Sequence, residues 1–351
     1  MREVYYGEEG YSGFMRYAAE PYIEKYRERS CFCSYDGRII SYYAYRNPKA
    51  KGCIVISHGF CEFGEKYNEV IYYFLLAGYS VYLPEHRGHG YSEQMTPDRD
   101  KVHIMDFEDY VRDFHCFLTE IVREQKKFLF AHSMGGAVAV RYLEEYPGSF
   151  QGAVLSAPML RIKTGKCPKF FAEWMADWFV FTGRETRYAS GQRGFDFKAD
   201  FAGSGCLSEE RYRYVFDRRL ANFNYRTYGA TYGWLRAVLK VEKKINKKKN
   251  LERINTPILI FLAGREHMVD NRAAVEFVNR VNGASMVYME KAKHEVYNGD
   301  YEIRVSYYQQ IFAFLEETAE KERCRVEGSE KTALIRQEAV QAVREQVALG
   351  K

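Results

Sequence analysis

Apolar and polar positions alternate along this chain in two rhythms. Short apolar runs at 53–56, 80–83, 128–130, 153–155, 258–262 and 286–289 sit between polar or turn-forming residues, and each predicts a buried strand. Longer stretches near 66–77, 106–123, 135–146, 271–281 and 301–318 carry the wider spacing of amphipathic helices. A further strand at 39–45, following the Asp36-Gly37 turn, predicts an antiparallel hairpin at the start. Strand and helix in alternation predict an α/β fold, a mostly parallel central sheet with helices on both faces.

From Pro158 to Asn250 this alternation stops, and aromatic and basic residues take over. We divide the chain accordingly into an N-terminal arm (1–30), a core (31–157 and 251–322), an inserted helical cap (158–250) and an amphipathic tail (323–351). In the tail Ala333, Leu334, Val340, Val343 and Val347 stand among charges. The first cap helix carries Phe170, Phe171, Trp174, Trp178 and Phe181, whose spacing places them on one face. Either that face packs the cap on the core, or Trp174 and Trp178, with Trp234, form an apolar wall over a substrate site. Lys240, Lys243, Lys244, Lys247, Lys248 and Lys249 close the insertion. A solvated helix face is the plainer reading of that run, and peripheral contact with an anionic lipid surface is the alternative.

Composition narrows the function classes. The 351 residues are 46% hydrophobic and 16% aromatic with a formal net charge of +5, and no basic stripe interleaved with stacking residues points to nucleic acid. No segment has the apolar length of a membrane span, and the N-terminus lacks a signal-peptide core, so a cytoplasmic location is expected. The eight cysteines are scattered, and Cys31-Phe32-Cys33 has the spacing of neither a zinc site nor a CxxC pair, so free thiols are expected.

Candidate chemistry centres on Ala131-His132-Ser133-Met134-Gly135-Gly136, where a buried strand breaks into a small-x-Ser-x-Gly turn and a helix begins. Such an elbow projects a serine hydroxyl from the sheet edge, although a serine there could also serve only as a helix cap. Acyl transfer needs a base, an acid to orient it and donors for the oxyanion. His294 follows the last strand and is the candidate base. Two carboxylates compete for the acid: Glu266 at the exit of the strand 258–262 is preferred, and Asp270 is placed to cap the next helix. The loop Ser57-His58-Gly59-Phe60 can aim the Phe60 amide where the Met134 amide points, forming a two-donor oxyanion hole. The order Ser133, Glu266, His294 is that of the α/β-hydrolase arrangement.

On these residues the chain resembles the α/β-hydrolases of the monoacylglycerol lipase and bacterial lysophospholipase group, of serine aminopeptidase S33 type. The likeness covers about 30–318. It includes His58-Gly59-x-x-Glu62 with Tyr67, Glu85-His86-Arg87-Gly88-His89-Gly90-x-Ser92, Ala263-Gly264-x-Glu266-x-x-Val269-Asp270-Asn271, Ala292-Lys293-His294-Glu295 and Thr231-Tyr232-Gly233-Trp234-Leu235. Ala131, Glu85 and Glu266 depart from the pattern, in place of a glycine and two aspartates. The resemblance implies a serine ester hydrolase for monoacyl lipids, with Ser133, Glu266 and His294 catalytic and Phe60 and Met134 at the oxyanion, needing neither metal nor organic cofactor. A general carboxylesterase or thioesterase on small soluble esters, or a non-catalytic ligand-binding or lipid-surface protein of this fold, are the alternatives. Oligomeric state is not readable from the chain.

Overall fold

The computed structural model describes residues 5–165 and 167–349, with only the helical backbone described over 326–349. Ten strands form: β1 (Arg27–Cys33), β2 (Ile39–Tyr45), β3 (Cys53–Ser57), β4 (Ser80–Pro84) and β5 (Lys101–Val102), then β6 (Lys127–His132), β7 (Gly152–Ser156), β8 (Gly229–Ala230), β9 (Ile258–Ala263) and β10 (Ala284–Met289). Eight make one sheet in the order β1-β2-β4-β3-β6-β7-β9-β10. β2 pairs antiparallel with both β1 and β4, and every other pairing in this sheet is parallel.

The parallel strands β3, β4, β7 and β9 are buried along their whole length, which is why they appear in the sequence as unbroken apolar runs. One core cluster lies on each face of the sheet. After β3 the chain steps to β4 on one side and then returns to β6 on the other, so the order reverses at β3. In open α/β sheets the crevice at the carboxyl ends of the strands flanking such a switch is where ligands bind. The loop after β3 and the turn after β6 are the two segments that meet there.

Two edges differ from the expected pattern. β1, which starts inside the expected N-terminal arm, has only Phe32 buried, and β10 only Met289. The charged and polar side chains of β1 discourage pairing with another chain, and they also erase the apolar run that would announce it. The expected helix 301–318 is the start of one helix, Tyr301–Leu349. The apolar face expected of Ala333 to Val347 lies outside the described side chains.

Between β7 and β9 stand, among the described residues, the helices Lys169–Phe181, Glu209–Ala221 and Tyr232–Ile245 and the short helix Lys248–Leu251. Strands β5 and β8 pair in parallel, so the inserted segment is hydrogen-bonded to the loop that follows β4. The N-terminal segment folds into helical turns over 11–24 and packs Tyr11, Met15 and Ala19 near Tyr72 and Tyr214. Its residue Glu8 pairs at 2.7 Å with Arg211 of the inserted segment, whose Nε lies 2.8 Å from Glu69 of the core. Arg304 of the C-terminal helix pairs with the same Glu69 at 2.8 Å. Arg211, Glu69 and Arg304 are all buried, so Glu69, with Glu8 at Arg211, balances two cations where water cannot. Removing one partner of such a set strands a buried charge and costs about 3–5 kcal/mol. Glu69→Ala should therefore lose about that much unfolding free energy in chemical denaturation, and a loss below about 1 kcal/mol would contradict this account.

Candidate active site

Strand β6 ends at His132, and the next residue turns into a left-handed backbone conformation, with Ser133 at φ 51° and ψ −119°. A side chain rarely adopts this region, and holding one there costs about 1–3 kcal/mol. Three bonds hold the turn: the Ser133 N–H donates to Ser156 O at 3.1 Å, and Ser133 O accepts from the amides of Gly136 and Met159, each at 2.8 Å. The helix Met134–Glu145 starts at once and crosses so close to β3 that a Cβ at Gly135 would overlap the carbonyls of Ser57 and His58. Ala131, in place of the usual first glycine, packs its methyl fully buried in the core, in register with Ser57 and Leu155.

His294 Nε2 lies 2.9 Å from Ser133 Oγ, and its Nδ1 lies 2.6 Å from Glu266 Oε2. The other Glu266 oxygen accepts the amides of Met268 at 2.7 Å and Val269 at 3.2 Å. Burial would raise the Glu266 pKa, but the hydrogen bond and charge of His294 and these two amides bring it down to about 2. Its carboxylate thus stays ionised and fixes His294 with Nδ1–H donating, leaving Nε2 free to accept the serine proton. Asp270 is used elsewhere: it caps the helix Asn271–Val278 through Arg272 N at 3.1 Å and pairs with Arg161 and Arg272.

The Phe60 amide has no protein acceptor among the described hydrogen bonds, and the Met134 amide, first in its helix, has none within that helix. Both residues flank Ser133, and the Phe60 loop is held from several sides. The Gly59 amide donates to Glu62 at 2.5 Å, the Cys61 amide donates to His89 Nε2 at 3.2 Å, and Cys61 takes a positive φ of 58°. Glu62 also accepts Tyr67 OH at 2.5 Å and Lys66 Nζ at 2.6 Å, and Lys66 reaches Glu295, beside His294, at 2.7 Å. Burial opposes ionisation of Glu62, but Lys66, His132 and these hydrogen bonds hold its pKa well below the usual carboxylate range. His132 is driven down to about 4 chiefly by burial and is neutral at pH 7. This buried set ties the loop after β3 to the loop carrying His294. The motifs Glu62 and Glu295 belong to were legible in the sequence, whereas nothing in the pattern around Lys66 or His132 marked them.

Two cavities open on Ser133. The larger, about 550 Å³, is lined by apolar groups including Met159, Met175, Trp234 and Leu235, with Trp234 packed 4.4 Å from Phe60 between ring centroids. The smaller, about 290 Å³, sets Lys66, Lys198, Arg219 and His294 among aromatic and apolar groups such as Phe195 and Phe216. Of the three tryptophans expected over a substrate site, Trp234 lines the larger cavity and Trp174 and Trp178 line neither. They are 57% and 50% exposed, in an outward stripe with Phe170, Phe171 and Phe181, and neither borders a cavity. The helix turns Ala172 and Ala176 inward instead, because small residues let it pack close to the helix Tyr232–Ile245. Spacing marked one face of this helix without telling which way it pointed. Of the lysine run, Lys243, Lys244 and Lys248 pair with Glu173, Glu108 and Glu252.

The sequence profile of the hydrolase family described as Serine aminopeptidase, S33 matches residues 48–300. The chain belongs to this family. It is 28% identical over 306 residues to lysophospholipase L2 of Escherichia coli (strain K12), covering 81% of this chain and 87% of that protein. Over 125 residues it is 32% identical to the monoacylglycerol lipase of Mycolicibacterium smegmatis, 35% of this chain and 43% of the relative. The solved carboxyl esterase of Bacillus coagulans in complex with glycerol matches this S33-family chain with a TM-score of 0.66 at 19% identity, over 83% of this chain and 98% of that one. At that identity the likeness shows the α/β-hydrolase fold, as the sheet does. Among the described residues, no group of three or more His, Cys, Asp or Glu side chains is placed to hold a metal ion.

The Glu266 shift has a consequence for stability. Its folded pKa of about 2 lies below the ordinary glutamate value of about 4.3, so the unfolded chain binds the proton more readily in that window. The stabilisation is complete above about pH 5 and fades as pH falls toward 2. The gap between the melting temperatures of the wild type and Glu266→Gln should thus be widest at pH 7, narrow below about pH 5 and close only near pH 2; a gap that widens on acidification would contradict it.

Proposed function

We propose that this chain is a serine ester hydrolase that cleaves monoacyl lipids, lysophospholipids or monoacylglycerols, through an acyl-enzyme. The observation that carries the reading is the unbroken chain from Glu266 to His294 to Ser133 Oγ at 2.6 and 2.9 Å, set at the mouth of an apolar cavity. Ser133 Oγ bonds to the ester carbonyl carbon while its proton passes to His294 Nε2. The carbonyl oxygen, now negative, is held by the amides of Phe60 and Met134, where each donor contributes about 3 kcal/mol. As the C–O ester bond breaks, His294 returns the proton to the departing alkoxide, which leaves as the alcohol. Water repeats the sequence, releasing the fatty acid and restoring Ser133. Glu266 keeps its charge throughout and stabilises the imidazolium.

The lipid part of the reading rests on the apolar cavity and on the names of the relatives. It is also supported by the outward aromatic stripe of the helix Lys169–Phe181, where Phe170 is 73% and Phe181 83% exposed. Five neighbouring aromatic rings facing water are costly unless something covers them, and a lipid surface that holds the substrate does so. No helix among the described residues is long and apolar enough to cross a membrane, so contact of this kind is peripheral. A cytoplasmic location accords with the eight free cysteines.

Ester turnover by Ser133→Ala should fall about 10⁴-fold or more, and by Glu266→Gln about 10³- to 10⁴-fold. Asp270→Asn should change kcat by less than about threefold, since it removes part of a helix cap. An Asp270→Asn loss larger than that of Glu266→Gln would reassign the acid. The double variant Phe170→Ser/Phe181→Ser should bind phospholipid vesicles about tenfold or more weakly in co-sedimentation, as two buried rings are worth several kcal/mol. Unaltered binding would remove the stripe from the account.

A further inference from the structure

The helix Glu209–Ala221 carries four arginines, and three of them have carboxylate partners. Arg211 meets Glu69 and Glu8, Arg213 meets Glu209, and Arg218 meets Glu20 and Glu65. Arg211, Tyr214 and Arg218 turn one face of the helix toward the N-terminal segment and the core. Tyr212, Val215, Phe216 and Arg219 turn the opposite face into the smaller cavity beside Ser133. Arg219 is half-buried there, and no carboxylate pairs with it among the described residues. Its guanidinium donates to Cys61 O and, at 3.4 Å, to Thr227 O, and lies 5.6 Å from the Phe63 ring centroid. A guanidinium has five N–H donors, so most of its capacity is unused, while its charge is partly desolvated without an anion.

A second cation faces the same cavity. Lys198 also has no carboxylate partner among the described residues, and it follows Phe197, a residue held at φ 59°. Three carboxylates share this wall. Asp200, exposed, accepts the Gly203 amide of its own turn at 2.9 Å and has no cationic partner among the described residues. Glu62 and Glu295 hold Lys66 between them and also bind Gly59, Tyr67 and Asn298. Arg219 and Lys198 thus bring two cations without a carboxylate partner to the second cavity on Ser133, where Asp200 is the one carboxylate among the described lining residues that pairs with no cation. Arg219 also grips the carbonyl of Cys61, one residue from the Phe60 amide, so whatever anion it binds lies next to the oxyanion site.

We propose that this smaller cavity is an anion subsite in which Arg219 and Lys198 bind the phosphate of the departing alcohol, so that the preferred ester carries a phosphorylated glycerol rather than a neutral one. The inference rests on the hydrolase reading above and selects between its two lipid classes. Charge-assisted hydrogen bonds to phosphate strengthen binding of the substrate whose leaving group carries it, while a neutral glycerol leaves both cations unmatched.

The test compares kcat/KM for three esters of one medium-length acyl chain, each below its micelle concentration: a lysophosphatidylglycerol, a monoacylglycerol and a p-nitrophenyl ester. The wild type should favour the lysophosphatidylglycerol over the monoacylglycerol by about tenfold or more. Arg219→Gln should cut that ratio about tenfold, Lys198→Gln severalfold, and Arg219→Lys should keep part of it. A ratio unchanged by both glutamine variants, or a wild type that prefers the neutral ester, overturns the subsite; continued p-nitrophenyl ester turnover would then leave the hydrolase reading standing. Failure to cleave any of the three esters overturns both. Should Arg219→Gln not fold, Lys198→Gln, on an exposed loop, decides alone.

Discussion

The backbone of Ser133 is the constraint around which the rest is arranged. Its left-handed turn is unfavourable in isolation, and it persists because β6, β7 and the helix Met134–Glu145 fix both ends. The Ser156 carbonyl at the end of β7 takes the Ser133 amide, and that bond exists only if the β6–β7 register is kept. Gly135 must be a glycine because the helix passes against the carbonyls of Ser57 and His58. Among the described residues the other non-glycine positive-φ positions are Cys61, Ala157 and Phe197. They stand in the loop after β3, directly after β7 and beside Lys198, so strain gathers around one site rather than scattering over the surface.

Paired charge carries the next layer. Glu62, Lys66 and Glu295 link the loop bearing Phe60 to the loop bearing His294; Lys66 lets both buried carboxylates stay ionised and is held charged by them. Farther out, Glu69 with Arg211 and Arg304 joins the inserted segment and the C-terminal helix to the core. The segment over the site is thereby held by buried ion pairs on its far face, leaving the near face to shape two unlike cavities. The first is lined mainly by apolar groups, the second sets charged side chains among aromatic ones, and Ser133 borders both.

Elements buried on both sides were the legible ones. β3, β4, β7 and β9 appear as plain apolar runs because nothing but side chains surrounds them. The positions of Ser133, Glu266 and His294 were legible for a related reason: each follows a strand with an apolar run, and strand ends converge on one edge of a parallel sheet. β1 was not legible, since its exposed charges serve an edge. The facing of the helix Lys169–Phe181 was not either. Periodicity gives an amphipathic face, but here the large rings point to solvent and the alanines inward, the reverse of the usual sense. Arg219 escaped notice because an unpaired arginine is visible only once its three paired neighbours on the same helix have been located.

All of this turns on whether Ser133 is the group that reacts, and intact-protein mass spectrometry after exposure to a fluorophosphonate measures that directly. The account predicts one covalent adduct per chain, mapped by peptide digestion to Ser133 and absent from Ser133→Ala. An adduct at another residue, or none at all on folded protein, would contradict it.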